Sequence, residues 1–248
     1  IGMSSTSDTE VMVMTLACSK GSTWFERLSD AISQWQGAFS LVMLTRDQVF
    51  AVRDPWGFRP LSVGMLPHGG GHVAASEYGA LRTLGCEACR EVKPGEIIAL
   101  SSNALKVFQP FTSQPQSSLC TFEHIYFSRP DNTWGGRNVH HVRQQLGANL
   151  AKESPVDADV VIPIPDSSIP AAIGYATASG IPFNDGFIKN RYIGRTFIEP
   201  TDSLRKQGVA LKYNVIMENV LNKRVIMIDD SIVRGNTTGP LIQLLKNA

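Results

Sequence analysis

Apolar and polar positions follow a strand–helix alternation through the second half of the chain. Four segments show it: continuous apolar runs at residues 159–164 and 225–228, helical spacing at residues 139–152, and a helix of small residues at residues 169–179. Continuous apolar runs are typical of strands buried on both faces. In the first helical segment, Val142, Leu146 and Leu150 share one face. The alternation predicts an α/β domain in which a parallel sheet carries helices on both faces.

The first half of the chain has shorter apolar runs separated by turn residues. Strands are predicted at residues 38–44, 49–52, 60–65, 72–75, 96–100 and 105–108, with one short helix at residues 77–84. We expect a two-layer α+β arrangement here. Residues 110–119 are rich in Thr, Ser, Gln and Pro, which is typical of a linker. The boundary is therefore placed near residue 115, between domains at residues 1–114 and 115–248.

Composition and net charge restrict the possible binding partners more than they restrict the possible folds. The 248 residues are 43% hydrophobic and 18% charged, with a formal net charge of +1, so no overall field attracts nucleic acid or a membrane surface. No apolar run approaches the roughly 20 residues of a membrane-spanning helix, and no signal peptide is evident, which predicts a soluble cytoplasmic protein. The start at Ile1 and the uncapped helical end at Ala248 suggest a chain truncated at both ends.

The strongest chemical signal lies at residues 225–239. Four apolar residues are followed by two adjacent carboxylates, Asp229 and Asp230, at the carboxyl end of a strand, where ligands bind in sheets of this class. Two such charges repel each other unless a cation or hydrogen-bond donors lie between them. Ribose hydroxyls and Mg²⁺, which prefers oxygen ligands, both meet that need. The alternative is a strand–turn–helix in which Asp serves as an ordinary cap.

Residues 234–239 continue the signal with small and hydroxylated side chains that open a helix. Backbone N–H groups and threonine hydroxyls at a helix N-terminus can surround a phosphate. A carboxylate pair followed by such a loop predicts a ribose 5-phosphate site. Residues 199–214 supply Arg205, Lys206 and Lys212 on a polar segment, which suits a lid that closes over a diphosphate and excludes water. A solvated basic loop is the alternative for each of these cations.

These motifs resemble those of a known family. Residues 225–239 are similar to the signature of type I phosphoribosyltransferases, which bind 5-phosphoribosyl diphosphate (PRPP). Six further stretches resemble, in the same order, the glutamine PRPP amidotransferases: residues 7–10, 53–61, 120–131, 165–168, 189–198 and 204–209. The resemblance implies a partial glutaminase domain of the N-terminal-nucleophile type, followed by a phosphoribosyltransferase domain. It also implies the committed step of purine synthesis, in which ammonia from glutamine displaces pyrophosphate from PRPP to give 5-phosphoribosylamine.

The resemblance assigns roles to individual residues. Asp229 and Asp230 would hold the ribose hydroxyls and Mg²⁺, with Ser167 also at the metal. The other residues expected to bind PRPP are Asp166, Ser168, Ser231, Arg234, Gly235, Asn236, Thr237, Thr238 and Gly239, together with the three lid cations. Asp8 would bind the α-ammonium group of glutamine. Purine nucleotides would act as feedback inhibitors, and the family suggests a homo-oligomer, either a dimer or a tetramer.

The four cysteines carry separate expectations. In the cluster-bearing branch of the family, Cys120 would be the first ligand of a [4Fe–4S] cluster, which needs four protein ligands. Cys86 and Cys89 form a lone C-x-x-C pair without a second pair at zinc-finger spacing, so ordinary thiols, a zinc site and a redox pair all stay open. No cysteine is N-terminal, and the asparagine–glycine segment of the oxyanion hole is also missing. The chain is therefore expected to lack glutaminase activity, and no catalytic residue is assigned.

Two other functions are weighed against this one. A PRPP-sensing regulator would keep the sugar site without catalysis, but such regulators usually carry a DNA-binding element or a basic surface, which nothing here resembles. A phosphoribosyltransferase that uses a base instead of ammonia would not need the glutaminase-like first half. Loss of part of the glutaminase core also predicts low stability for the first domain.

Overall fold

The computed structural model describes residues 2–101, 104–111, 116–192, 211–233, 235 and 237–248. It divides into two compact units, at residues 1–121 and 122–248. Residues 112–115, where the sequence places the domain boundary, lie outside the described residues, so that boundary stays a prediction. The mixed α/β class expected from the sequence is confirmed.

In its described residues, the first unit combines three helices with two antiparallel sheets. The helices are α1 (Asp8–Cys18), α2 (Trp24–Ile32) and α3 (Tyr78–Thr83), with a 3₁₀ turn at Pro67–Gly69. The strands are β1 (Ser40–Leu44), β2 (Val49–Arg53), β3 (Ser62–Met65), β4 (His72–Ala75), β5 (Glu87–Glu91), β6 (Ile97–Leu100) and β7 (Leu105–Phe108). Their orders are β1-β2-β6-β7 and β4-β3-β5 within the described residues. All six predicted strands and the predicted helix α3 are confirmed, with small shifts of their ends.

The four-stranded sheet of the first unit is covered on both faces. Successive side chains of a strand point to opposite faces, so Phe50 of β2 packs with Leu28 of α2, whereas the adjacent Ala51 packs with Val63 of β3. The sheet therefore lies between a helical layer and the three-stranded sheet. Burial on both faces explains why β2 and β6 are continuous apolar runs.

The apolar pattern missed α1, α2 and β5. A better signal for α2 is its capping box: the Thr23 hydroxyl accepts a hydrogen bond from the backbone N–H of Glu26 at 3.2 Å, and the Glu26 carboxylate accepts one from the backbone N–H of Thr23 at 3.1 Å. A Thr followed three residues later by Glu, next to an apolar run, marks a helix start in sequence. The capping residues would therefore have identified this helix before its spacing did.

The second unit is built around a parallel strand pair. Among its described residues, the helices are α4 (Val139–Glu153), α5 (Ile169–Ser179), α6 (Met217–Val220) and α7 (Thr238–Lys246), and a π-helical turn spans Glu123–Phe127. Its strands are β8 (Thr133–Trp134), β9 (Arg137–Asn138), β10 (Val160–Pro163), β11 (Phe187–Lys189), β12 (Tyr213–Val215) and β13 (Val225–Ile228). The predictions of α4, α5, β10 and β13 are confirmed.

Helices cover both faces of this parallel pair. Strands β10 and β13 run parallel, while β11 and β12 form a separate antiparallel ribbon. Ile162 of β10 packs with Leu241 of α7, whereas the neighbouring Val161 packs with Ala172 of α5. The layered α/β arrangement predicted for the second half is therefore confirmed in the described residues.

The buried face of α4 is not the one that its leucine spacing marks. Leu146 and Leu150 are 46% and 40% exposed, whereas Gly147 is buried. A Cβ placed on Gly147 would lie 1.8 Å from the carbonyl oxygen of Ala171 in α5, and one placed on Gly174 would lie 1.9 Å from that of Gln144. The two helices thus approach through glycine, so small size rather than hydrophobicity selects the contact face.

Among the described residues, no helix has both the length and the apolar character needed to cross a membrane.

Candidate functional site

A cleft of about 620 Å³ opens at the carboxyl ends of β10 and β13. The last paired residues of these strands are Pro163 and Ile228, and the backbone N–H of Ile164 donates to the carbonyl of Ile228 at 2.9 Å. Because the strands are parallel and in register, the loops that follow them emerge side by side. Residues 165–168 therefore lie next to the Asp229–Asp230 pair, as expected for ligand sites in open α/β sheets.

Serine hydroxyls surround the two carboxylates. Ser167 donates a hydrogen bond to one carboxylate oxygen of Asp230, and the Ser231 hydroxyl donates to the other at 2.7 Å. The Asp229 Oδ1 atom accepts from the backbone N–H of Asp230 at 2.8 Å and from the Ser168 hydroxyl at 3.4 Å. The donors hold the acidic pair in one arrangement, and the pair presents oxygen atoms to the cleft.

The two aspartates lie in a partly buried part of the cleft, where an ionised carboxylate is destabilised. Burial raises the pKa of Asp229, and the neighbouring charge of Asp230 raises it further. Burial likewise raises the pKa of Tyr213 to about 12, with smaller contributions from the charges of Asp229 and Asp166. A cation that enters this part of the cleft would relieve the repulsion between the carboxylates.

A second charged pair lies at the β10–α5 loop. The Lys189 ammonium donates to the carboxylate of Asp166 at 2.5 Å, and Asp166 is 68% exposed. The Tyr213 hydroxyl donates to the carbonyl of Pro165 at 3.4 Å, and the Pro165–Asp166 peptide bond is cis. Lys189 and Tyr213 are themselves paired across the β11–β12 ribbon. The ribbon and the loop therefore form one wall of the cleft.

Lys212 adds a buried cation to that wall. Its side chain is 7% exposed, and its ammonium lies 5.9 Å from the centre of the Tyr213 ring. An ammonium over an aromatic face gains electrostatic stabilisation in a desolvated position. Lys212 lines the cleft, and its role toward an anionic ligand stays a prediction.

Arg143 is a cleft residue that the sequence interpretation missed. It is 2% exposed, and its guanidinium donates to the carbonyls of His124 at 2.7 Å and Ser128 at 2.9 Å. Burial lowers its pKa, and the negative charge of Asp230 opposes that shift. A charged residue on the buried face of a helix is a recognisable signal, since Arg is rarely fully buried without partners. In the sequence, that signal was hidden by the adjacent leucine spacing.

The structure brings most of the predicted PRPP residues to this one cleft. Those that line it are Asp166, Ser167, Lys212, Asp229, Asp230, Ser231, Gly235, Thr237 and Thr238. Ser168 is fully buried beneath Asp229, and Gly239 is an exposed residue in the first turn of α7. Arg205, Lys206, Arg234 and Asn236 lie outside the described residues.

The remaining predicted site residues belong to the first unit. Asp8 is exposed and is the first residue of α1. The backbone N–H of Cys120 donates to the carbonyl of Phe58 at 2.9 Å. Neither belongs to a group of three or more His, Cys, Asp or Glu side chains that could hold a metal ion, since the described part of the chain contains no such group.

Comparison with known proteins links both units to one family. Residues 1–83 match the glutamine amidotransferase domain family. Over 98% of its length, the chain is 47% identical to an amidophosphoribosyltransferase of Rhizobium etli and 45% identical to that of Bacillus subtilis. A solved structure of glutamine PRPP amidotransferase from B. subtilis, complexed with ADP and GMP, matches 100% of the chain with a TM-score of 0.88 and 43% identity.

Over nearly its whole length, the chain is similar to amidophosphoribosyltransferases. It spans about half the length of the curated relatives it matches, covering 50% of each of the two bacterial proteins and 54% of the solved B. subtilis chain. The alignment with these relatives covers the acidic cleft as well as the first unit, because it includes 98% of this sequence. The glutaminase-plus-phosphoribosyltransferase fold expected from the motifs is thereby confirmed.

Proposed function

We propose that residues 122–248 bind PRPP and carry the transferase half of an amidophosphoribosyltransferase. In this reaction ammonia attacks the anomeric carbon of PRPP, pyrophosphate leaves, and 5-phosphoribosylamine forms. The proposal rests on one observation: a single cleft brings together an acidic pair and groups that suit phosphates. These groups are Asp229 and Asp230, Gly235, Thr237 and Thr238, and the two lysines Lys189 and Lys212.

The acidic pair fits Mg²⁺ in the chemistry of its donors. Its oxygen atoms are hard ligands, and Mg²⁺ in such sites is bound through one or two carboxylates together with substrate phosphates rather than by a complete protein cage. That agrees with the absence, among the described residues, of a cluster of three or more His, Cys, Asp or Glu ligands. Asp229, Asp230 and Ser167 would hold the ion, which when bound supplies positive charge to the leaving pyrophosphate.

The protein's own residues would position the sugar and its phosphates. Thr237 and Thr238 lie at the start of α7, where backbone N–H groups favour a phosphate. Asp229 and Asp230 would accept hydrogen bonds from the ribose hydroxyls. Lys189 and Lys212, which line the same cleft, would attract the diphosphate. Such catalysis depends mainly on orientation and electrostatic stabilisation of the leaving group.

The first unit would supply ammonia from glutamine, as its match to the glutamine amidotransferase domain supports. Asp8 is proposed to bind the α-ammonium group of glutamine. None of the four cysteines is assigned as the glutaminase nucleophile, so the test of the transferase half uses added ammonia. The lid role of Arg205 and Lys206 and the phosphate contacts of Arg234 and Asn236 stay predictions.

Partners and cofactors follow from the same proposal. Purine nucleotides are proposed as inhibitors, since the solved B. subtilis relative is complexed with ADP and GMP. A homo-oligomer, a cytoplasmic location and a [4Fe–4S] cluster at Cys120 stay predictions. For the cluster, the described residues offer no group of three or more ligands around Cys120, so this part of the chain does not fit a cluster by itself.

The test is pyrophosphate release that depends on PRPP, ammonia and Mg²⁺. We expect Asp229→Asn/Asp230→Asn to lower the rate at least ~100-fold, because two charges that hold the substrate and its metal are removed. The double variant Asp47→Asn/Asp185→Asn, which alters two exposed carboxylates, should keep the parent rate. PRPP binding is measured on the same samples. If the folded parent chain binds PRPP but releases no pyrophosphate, the result would contradict the enzyme and favour a PRPP sensor.

A further inference from the structure

Strand β5 of the first unit contains a bulge opposite Gly64. The pairing of β3 with β5 shifts between Val63 and Met65, so that Ala88 and Cys89 together oppose the single residue Gly64. Ala88 has a φ of 45°, in the left-handed region that non-glycine residues rarely adopt. A bulge of this kind changes the direction of the side chains that follow it. It therefore breaks the alternation that a regular strand would impose on Cys86 and Cys89.

The bulge brings the two cysteine side chains together over Gly64. In a regular strand, residues three apart face opposite sides and lie roughly 10 Å apart, too far for a disulfide. Here a Cβ placed on Gly64 would lie 2.9 Å from the Cys89 Sγ atom and 3.0 Å from the Cys86 Cβ atom. The Cys89 Sγ atom also lies 3.4 Å from the carbonyl oxygen of Cys86. The absence of a side chain on Gly64 leaves the space in which both cysteines meet.

The electrostatics of the pair agree with this geometry. Both cysteines are free thiols that are partly buried. Burial raises the pKa of Cys89, and the Cys86 thiol is the second cause of that rise. The two side chains share the space next to Gly64, and both stay partly exposed to a small solute.

We propose that Cys86 and Cys89 form a reversible dithiol–disulfide pair that exchanges with a low-molecular-weight disulfide such as oxidised glutathione. One protein thiolate attacks the glutathione disulfide, forming a mixed disulfide and releasing one glutathione thiolate. The second protein thiol, as its thiolate, attacks the protein sulfur of the mixed disulfide and expels the second glutathione. The two protein thiols lose two electrons and two protons, which the glutathione disulfide gains as two thiols.

The site is independent of the PRPP cleft and of its proposed chemistry. It lies wholly in the first unit, between strands β3 and β5, and the Tyr78 hydroxyl donates to the carbonyl of Cys89 at 3.2 Å. Closing the disulfide would lock the bulge and hold the β5 edge against α3. Among the three interpretations of the C-x-x-C pair, this geometry favours the redox pair over a zinc site, because the described residues bring no third or fourth ligand to it.

To test this, the folded chain is equilibrated in glutathione buffers. The samples are then quenched with acid, alkylated and digested, and the peptides are identified by mass spectrometry. We expect a peptide cross-linked between Cys86 and Cys89, with the chain losing two hydrogen atoms at that pair. The folded chain should form this disulfide at least ~10-fold more favourably than the same chain in urea, because the fold already holds the thiols together. The variants Cys86→Ser and Cys89→Ser should each give a glutathione adduct on the remaining cysteine.

A matched variant separates geometry from sequence spacing. Gly64→Ala would insert a methyl group between the two cysteines and should remove the advantage of the folded chain over urea, with folding checked by circular dichroism. If that variant is unfolded, the proposal is tested only by comparing the stability of the disulfide in the parent chain with and without urea. Separate glutathione adducts on Cys86 and Cys89 in the folded parent, or a disulfide no more stable than in urea, would overturn the proposal.

Discussion

At the scale of single residues, the acidic pair illustrates how a ligand site opposes stability. The pKa of Asp229 is raised, mainly by burial, above the ordinary aspartate value of about 3.9. The stability contributed by such a group is fully present below its unfolded-state pKa and is lost as pH rises through the raised folded-state pKa. Above its folded-state pKa, Asp229 is therefore ionised in the folded protein at a cost that the unfolded chain does not bear.

We predict that Asp229→Asn raises the thermal unfolding midpoint at pH 7.5, while PRPP binding is lost. The gain should shrink as the pH falls and should vanish below about 3.9, where the aspartate becomes protonated in both states. Scanning calorimetry across this pH range measures the difference. The exposed Asp185 supplies the control, since Asp185→Asn should leave the midpoint unchanged. A lower midpoint for Asp229→Asn at neutral pH would show that its hydrogen bonds outweigh its charge.

Arg143 gives the opposite case, a buried charge that the fold requires. Its guanidinium satisfies two backbone carbonyls and faces Asp230. We predict that Arg143→Met lowers the free energy of unfolding by about 2–3 kcal/mol, because carbonyls that lose a charged donor are left unsatisfied. Arg137→Met, at an exposed position, should change it by less than about 0.5 kcal/mol. Urea denaturation measures both. If both substitutions change the free energy of unfolding equally, Arg143 does not stabilise the cleft.

At the scale of elements, the α4–α5 contact depends on glycine at the crossing point. A side chain on Gly147 would overlap the backbone of Ala171, and one on Gly174 would overlap that of Gln144. Backbone atoms in two packed helices have no free rotation with which to avoid the overlap. The helices would have to separate, and the cleft residues that precede α5 would move with it.

We predict that Gly147→Ala lowers the free energy of unfolding by about 3 kcal/mol or more, although alanine is the better helix former. A Cβ placed on Gly239 in α7 would have no atom within 4 Å, so Gly239→Ala should instead be neutral or stabilise by up to about 1 kcal/mol. Chemical denaturation of both variants tests this. A Gly147→Ala variant as stable as the parent would mean that α4 and α5 do not pack this closely.

Sequence patterns predicted the secondary-structure elements more accurately than they predicted the tertiary contacts. The helices at residues 139–153 and 169–179 followed from spacing and composition. The same spacing marked Leu146 and Leu150 as the prominent face of α4, although both are exposed. Periodicity reports which residues share a face, but the close approach of a neighbouring helix decides which face is buried. That approach depends on side-chain size in both helices, which a single segment does not reveal.

At the scale of the whole molecule, each unit has its own hydrophobic core. Phe50 and Val63 belong to clusters of the first unit, and Ile162 and Ala172 belong to clusters of the second. The cleft is lined entirely by residues of the second unit. A ligand of this cleft binds only the folded second unit, so its binding free energy adds to the stability of that unit.

We predict that PRPP with Mg²⁺, at about 100 times its dissociation constant, stabilises the second unit by about 2.7 kcal/mol. Hydrogen exchange read by mass spectrometry should show this gain in peptides containing β10 and β13. Peptides from β2 and β6 of the first unit serve as the comparison and should change less. The Asp229→Asn/Asp230→Asn variant should show no gain. Equal protection of both units, or protection in the double variant, would contradict a site confined to residues 122–248.

The sequence by itself determined which consecutive residues form a candidate site, the elements that carry them and the resemblance to one family. Asp229 and Asp230 after an apolar strand, followed by a hydroxyl-rich turn, form a local pattern. Such a pattern can be recognised in the sequence because the strand, the turn and the ligand-binding residues are consecutive in the chain. The same holds for the C-x-x-C pair, whose existence is a matter of spacing.

Only the tertiary structure decided which distant residues join these patterns. The parallel register of β10 and β13 places Ser167 against Asp230, 63 positions away in the chain. The fold likewise turns Arg143 toward the cleft, pairs Lys189 with Asp166 and lets a bulge opposite Gly64 bring Cys86 to Cys89. Each of these contacts arises from packing and register between segments, and those are set by the assembled core rather than by any stretch of sequence.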